Sequence, residues 1–281
     1  MPARELVVEH RGIKLAVEIS GEGEPALLLL HGGGDNLATW AGIAPVLADE
    51  FRVIAFDAAG HGRSSTPDDV SVEDFIDEID SVARALELPR AVLVGHSWGG
   101  ATALRHAASG RALAAGVVAI DPGPWELGPR LPPFDQARIE ARGYGWTGTM
   151  PELETLVAEW LAEAEAEAPD EPRDVVEATF RRSFELDESG VWRRKPELRF
   201  MSRFGPLVRD PSVSLTPALL DTLACPASLL VAEDGLVGEA TDGLARDGVR
   251  VERLPGGHYV HWTHPGRVVT EIRRFARLFG S

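Results

Sequence analysis

The chain has 281 residues, of which 44% are hydrophobic, a formal net charge of −16 at pH 7, and a single cysteine, Cys225. This length suits one large α/β domain with an insertion or two small domains. The acidic charge argues against nucleic acid or an anionic membrane as a partner. A single cysteine excludes an internal disulfide and a metal cluster held by cysteines. Because neither an apolar signal core nor an apolar run of 18 residues occurs, we expect a soluble, cytoplasmic protein, and a homo-oligomer stays open.

The first 120 residues alternate between strand and helix patterns. Leu6–Glu9 and Ile13–Ile19 alternate apolar and polar residues, which predicts an antiparallel hairpin at a sheet edge. Continuous apolar runs predict four buried strands at Ala26–Leu30, Phe51–Phe56, Ala91–Val94 and Ala114–Ile120. Helical patterns at Leu37–Leu47, at Ser71–Leu88 and up to Ala108 separate them. We therefore expect an α/β fold with a mostly parallel, doubly wound sheet, whose ligands bind at the carboxyl ends of the strands.

Prolines interrupt the chain after Asp121, and helical segments then replace the strands. They are Phe134–Gly143, Glu152–Ala168, Asp174–Leu186 and Arg199–Val208. We interpret residues 122–215 as a helical cap inserted after the sixth strand, within a core formed by residues 1–121 and 216–281. The core pattern resumes with a strand, a short helix, a strand and a final helix at Ala227–Ala232, Val237–Ala245, Val249–Leu254 and Pro265–Phe279.

The segment Gly95-His96-Ser97-Trp98-Gly99 joins a buried strand to a helix and has the pattern G-x-S-x-G. In this context the pattern predicts a sharp, strained turn that holds the serine hydroxyl at the start of a helix, where developing negative charge is favoured. An ordinary turn with a serine N-cap is the alternative.

Four segments together resemble the α/β-hydrolase superfamily, over nearly the whole chain. They read HGGGDNLATW from His31, FDAAGHGRSS from Phe56, GHSWGG from Gly95 and PGGHYVHWTHP from Pro255. The resemblance implies that Ser97 is a nucleophile, that His258 is its base, and that the backbone N–H groups of Gly33 and Trp98 form an oxyanion hole. It also implies structural roles for His31 and His61, and we expect His96 to point away from the pocket.

The carboxylate of the triad stays open between two aspartates. The family often has its acid after the strand that follows the cap, where Glu233-Asp234-Gly235 places an aspartate one residue early. Other members have the acid after the preceding strand, where Asp121 lies. We favour Asp121, keep Asp234 as the alternative, and rank Glu233 behind both.

These residues predict a serine hydrolase that cleaves an ester, lactone or related acyl bond through an acyl-enzyme, without metal or organic cofactor. The aromatic-rich cap predicts that the substrate is small and hydrophobic. A carbon–carbon bond hydrolase, an amidase or iminopeptidase, and a non-catalytic small-ligand binder of the same fold are the alternatives. The glycine run at Gly32–Gly34 is not followed by the lysine and the serine or threonine of a nucleotide-binding loop, which argues against nucleotide binding.

Overall fold

A computed structural model describes residues 3–123, 125–126, 144–237 and 240–280. In these residues the strands are β1 (Arg4–His10), β2 (Ile13–Ser20), β3 (Leu27–Leu30), β4 (Val53–Phe56), β5 (Ala91–His96), β6 (Ala114–Ile120), β7 (Thr147–Gly148), β8 (Phe184–Leu186), β9 (Trp192–Arg194), β10 (Ala227–Asp234) and β11 (Val249–Gly257). The α-helices are α1 (Ala44–Leu47), α2 (Val72–Ala85), α3 (Trp98–Ala108), α4 (Met150–Glu167), α5 (Arg173–Arg182), α6 (Leu198–Arg209), α7 (Val260–Thr263) and α8 (Pro265–Ala276).

Eight strands form one sheet in the order β1-β2-β4-β3-β5-β6-β10-β11. The pairs β1–β2 and β2–β4 are antiparallel, and all other neighbours are parallel. The predicted fold class is therefore confirmed: a mostly parallel α/β sheet with an antiparallel hairpin at one edge and a helical insertion after the sixth strand.

The central strands are apolar throughout because helices cover both faces of the sheet. In β3, Leu28 and Leu30 pack into one hydrophobic cluster, while Leu27 and Leu29 pack into the cluster on the opposite face. This alternation follows from the two-residue period of a strand. Because these neighbouring strands are parallel, the carboxyl ends of β3, β4, β5, β6 and β10 lie along one edge, where the loops that carry polar residues begin.

The inserted region, here residues 144–215, contains three α-helices and a small antiparallel sheet of order β7-β9-β8. The prediction of one helix over Asp174–Leu186 is wrong at its last four residues. Helix α5 ends at Arg182, and Phe184–Leu186 pairs with β9. The pairing partner, Trp192–Arg194, is a non-local feature that helical periodicity does not detect. The boundaries at residues 122 and 215 stay predictions, and Phe134–Gly143 lies outside the described residues.

Two shorter elements also differ from the expectation. The predicted helix Leu37–Leu47 is a 3₁₀ turn at Leu37–Trp40 followed by α1, because Gly42 lies between them. Only a 3₁₀ turn at Ala240–Gly243 is described in the predicted helix Val237–Ala245. No α-helix within the described ranges is long and apolar enough to cross a membrane.

Buried polar contacts fasten the inserted region to loops of the core. The guanidinium of Arg182 lies 3.0 Å from the fully buried carboxylate of Asp57. Lys195 donates to the carbonyl of Ser64 at 2.9 Å, and the side chain of Asn36 donates to the carbonyl of Thr179 at 2.8 Å. Helix α5 and the β9 end are thereby held against the loops that follow β3 and β4.

Candidate active site

Ser97 occupies the turn between β5 and α3 in a strained conformation, with φ 53° and ψ −119°. The residues two positions before and after Ser97 must be glycine, as the G-x-S-x-G spacing predicts. A Cβ on Gly95 would lie 2.4 Å from the carbonyl carbon of Gly99, and a Cβ on Gly99 would lie 2.2 Å from the carbonyl oxygen of Leu30. Strain of this kind is kept where the surrounding packing enforces it, and it is concentrated at functional sites.

His258 follows the last strand and is paired with Asp121. Its Nδ1 donates to Oδ2 of Asp121 at 2.6 Å. The side chain of Asp121 is fully buried, whereas 26% of the His258 side chain is exposed. Since the Ser97 N–H donates to the carbonyl of Ile120 at 3.0 Å, the elbow and the residue before Asp121 are directly joined.

The carboxylate of Asp121 is held by three donors. Oδ1 accepts from the N–H of Ala232 at 3.1 Å, and Oδ2 accepts from the N–H of Leu236 at 2.8 Å as well as from His258. Both backbone donors lie at the end of β10 or just after it. The loop after β10 therefore fixes the orientation of a carboxylate that belongs to the loop after β6.

Asp234, the alternative acid, is exposed, and so is Glu233. Neither side chain makes a hydrogen bond within the described residues. The next residue, Gly235, explains why an acid is missing at the position where the resemblance leads us to expect one. A Cβ on Gly235 would lie 2.3 Å from Oδ2 of Asp121, so the Asp121 carboxylate occupies the space of a side chain at 235.

The loop after β3 is shaped by two buried histidines. His31 accepts from the N–H of Ala58 through Nε2 and donates to the carbonyl of Gly32 through Nδ1, at 2.9 and 2.8 Å. His61 accepts from the N–H of Gly34 through Nε2 at 3.0 Å. Burial lowers the pKa of His61 to about 3, so this ring stays neutral and keeps its acceptor nitrogen.

This loop lies against the serine turn and offers free donors. A Cβ on Gly32 would lie 3.2 Å from Cβ of Ser97, and one on Gly33 would lie 3.7 Å from Cβ of Trp98. Within the described residues, the N–H groups of Gly33 and Trp98 have no acceptor. Two free N–H groups on neighbouring segments next to a serine can stabilise an oxyanion. This is the role that the family resemblance implies for Gly33 and Trp98. The Ser97 hydroxyl also has no hydrogen-bond partner within these residues, so its contact with His258 Nε2 stays a prediction.

Aromatic side chains surround the same loop. Phe204 of α6 packs edge-on against Trp98 and Phe75, at ring distances of 5.6 and 5.7 Å. A Cβ on Gly33 would lie 2.8 Å from the Phe204 ring, and one on Gly34 would lie 2.5 Å from the hydroxyl of Tyr144. Sequence reasoning did not single out Phe204 or Tyr144, because neither belongs to a motif and only the docking of the inserted region brings them here.

Two buried acids lie close to the site without contacting His258. Burial raises the pKa of Glu78 to about 8 and that of Asp35 to about 7. Glu78 accepts from the N–H of Ala59 at 3.2 Å and lines a small cavity beside Trp98. Across residues 3–123, 125–126, 144–237 and 240–280, no group of three or more histidine, cysteine or acidic side chains is placed to hold a metal ion.

Residues 27–271 match the model of the alpha/beta hydrolase family. An uncharacterized protein of Mycobacterium tuberculosis is 43% identical over 97 residues, which are 34% of this chain and 28% of that protein. The crystal structure of E-2-(acetamidomethylene)succinate hydrolase is similar with a TM-score of 0.77 and 24% identity, over 98% of this chain and 100% of that chain. The enol-lactonase from Burkholderia xenovorans LB400 has a TM-score of 0.73 and 18% identity, over 98% and 100%. The chain thus matches under a third of the curated relative's length, while the two solved structures share its fold throughout.

Proposed function

Since the chain belongs to the alpha/beta hydrolase family, we propose that it is a serine hydrolase with Ser97 as nucleophile, His258 as general base and Asp121 as the orienting carboxylate. The observation that carries the proposal is the 2.6 Å bond from His258 Nδ1 to a buried carboxylate that adjoins the strained serine turn. A serine hydroxyl is a weak nucleophile at neutral pH and needs a base that is itself oriented by a third group.

The bond to Asp121 supports different roles for the two ring nitrogens of His258. Because Nδ1 carries the proton that Asp121 accepts, Nε2 is unprotonated and is the nitrogen that takes the proton of Ser97. Attack on a carbonyl carbon then makes an oxyanion, which the N–H groups of Gly33 and Trp98 stabilise, and each such donor contributes about 3 kcal/mol. His258 returns the proton to the leaving group, and water repeats the cycle on the acyl-enzyme.

The substrate of this proposal is small and apolar, with an ester or lactone bond. Its size and polarity are inferred from the aromatic side chains of Phe204, Trp98 and Phe75 around the oxyanion loop. The lactone is compatible with the similar fold of an enol-lactonase. Carbon–carbon and amide bonds are chemically accessible to the same triad, so the bond is decided by turnover.

A fluorophosphonate probe and a panel of p-nitrophenyl esters and lactones test the proposal. We expect the probe to label the wild-type protein and not Ser97→Ala, and we expect turnover of short-chain members of the panel to be lost in the same variant. Ser109→Ala, at the far end of α3, is the matched control and should label normally. A wild-type protein that neither labels nor turns over any acyl substrate would refute the proposal.

A further inference from the structure

The residue before the nucleophile makes contacts that the triad does not explain. We propose that His96 is a positioning residue, which holds the turn of His258 and the oxyanion loop in register with Ser97; this inference rests on the proposed function. The side chain of His96 is only 1% exposed, and three structural elements meet on its ring.

The first contact is with the backbone of the proposed base. Nε2 of His96 donates to the carbonyl of His258 at 3.0 Å. A carbonyl can only accept, so the proton of the His96 ring must be on Nε2 and its tautomer is fixed. The bond ties the turn after β11 to the end of β5, one residue before Ser97.

The second contact is with the oxyanion loop. A Cβ on Gly32 would lie 3.0 Å from Nδ1 of His96, so the loop backbone lies close to this edge of the ring. Nδ1 is buried and has no hydrogen-bond partner in the described part of the chain. One nitrogen is therefore satisfied by the turn of His258, and the other faces the loop that carries Gly33. That the side chain of His96 points away from the pocket stays a prediction.

The third contact is with a cluster of aromatic rings that are tilted against the His96 ring. The His96 ring centroid lies 4.5 Å from that of His258, 4.3 Å from that of His261 and 5.0 Å from that of Tyr259. His261 is in turn hydrogen-bonded to Thr39 at 2.9 Å. This packing restricts the His258 ring to a narrow range of orientations, while its bond to Asp121 fixes the rotation about its own axis.

Burial keeps two rings of this cluster uncharged. It lowers the pKa of His96 well below its ordinary value and that of His261 to about 3. Among the residues that the structure describes, the titratable groups that face His258 are Asp121 after β6, His96 at the end of β5, and Tyr259 and His261 at α7. Only Asp121 among them is a counter-charge, so the positive charge formed during acylation is confined to the ring that Asp121 contacts.

Two substitutions separate the donated bond from the bulk of the ring. His96→Leu removes the donor, whereas His96→Gln retains an N–H donor at the end of a side chain of similar length. We expect His96→Leu to lower kcat by up to about 100-fold with little change in KM, because a small misplacement of a catalytic group has this effect. Here kcat is calculated from the concentration of sites that the fluorophosphonate probe labels. We expect His96→Gln to recover most of that loss. The control is His106→Gln, which should leave kcat unchanged. His106 is a buried histidine at the far end of α3 that is bonded to Asp80.

The proton resonance of the His258 Nδ1–H group, which is bonded to Asp121, tests the inference by NMR without any substrate. We expect this low-field signal to weaken or move upfield in folded His96→Leu, because the proton of a loosened bond exchanges faster with water, and to return toward wild type in His96→Gln. Unchanged kcat and an unchanged Nδ1–H signal in folded His96→Leu would overturn the inference. If His96→Leu does not fold, a full loss of kcat in His96→Gln with an unchanged Nδ1–H signal would overturn it as well. If the signal responds as expected in the variants but the wild-type protein turns over no acyl substrate, the proposed function alone is refuted.

Discussion

Replacing Asp121 by asparagine should remove the orienting role of the carboxylate while conserving its volume. Oδ2 of Asp121 accepts from His258 and Leu236, and Oδ1 accepts from Ala232. The NH2 group of asparagine must take the place of Oδ1 or of Oδ2, and in either place it meets a backbone N–H donor. Where the NH2 group takes the place of Oδ2, His258 loses its acceptor and takes the other tautomer, which puts a proton on Nε2.

The expected size of this effect follows from the tautomer. A base with a proton on Nε2 cannot accept the hydroxyl proton of Ser97, and the corresponding change in serine hydrolases lowers kcat by about 10⁴-fold, or roughly 5 kcal/mol. We expect Asp121→Asn to show this loss and Asp234→Asn to show none, because Asp234 is exposed and has no bond to His258. A small drop in the free energy of unfolding, about 1–3 kcal/mol, should accompany Asp121→Asn because a buried donor loses its acceptor.

A second substitution makes the test sharper. A Cβ on Gly235 would lie in the space of the Asp121 carboxylate. We therefore expect the double variant Asp121→Gly with Gly235→Asp to recover part of the activity that Asp121→Gly loses. The measurements are the initial rate with a p-nitrophenyl ester, the rate of fluorophosphonate labelling and the urea midpoint of each variant. A full loss of kcat in Asp234→Asn together with an active, folded Asp121→Asn would refute the reasoning.

Two further predictions concern the packing around the site. Burial raises the pKa of Glu78 from 4.5 to about 8, so the unfolded chain releases this proton first and the wild-type protein loses stability as the pH rises from about 4.5 toward 8. Glu78→Gln should therefore be more stable than wild type by up to ~3 kcal/mol at pH 7 and match it near pH 4 in urea titrations; a difference that is the same at both pH values, or a similar gain in the exposed Glu73→Gln, would contradict this. Gly99→Ala would bring a Cβ to 2.2 Å from the carbonyl oxygen of Leu30. We expect this substitution to lower the free energy of unfolding by more than ~3 kcal/mol. Gly266→Ala, where a Cβ meets nothing within 4 Å, is its control in thermal unfolding, and equal midpoints for the two variants would show that the turn tolerates a side chain.

The sheet and the serine turn could be predicted because their signals are local. Apolar runs such as Leu27–Leu30 are continuous only when both faces of a strand are buried, and G-x-S-x-G has a steric reason at both glycines. The acid could not be decided in the same way. Asp121 follows β6 and Asp234 is the last residue of β10, and only the contact with His258 in the folded chain distinguishes them.

The inserted region was harder to predict for a related reason. Its strand Phe184–Leu186 depends on a partner in β9, and the position of Phe204 above Gly33 depends on how α6 docks. Neither relation leaves a periodic signal in the sequence. The role of His96 was hidden as well, because the residue it bonds, His258, lies 162 positions further along the chain.

The contacts that fasten the inserted region also limit how it can be exchanged between relatives. Asp57, Ser64 and Asn36 belong to the core loops, while their partners Arg182, Lys195 and Thr179 belong to the inserted region. A chimera that joined a foreign segment at the two ends of this region would leave Asp57 buried without its guanidinium, at a cost of roughly 3–5 kcal/mol. The segment that can be transplanted as a unit is therefore discontinuous in sequence, and recombination that changes substrate preference must carry the loop residues together with the helices they hold.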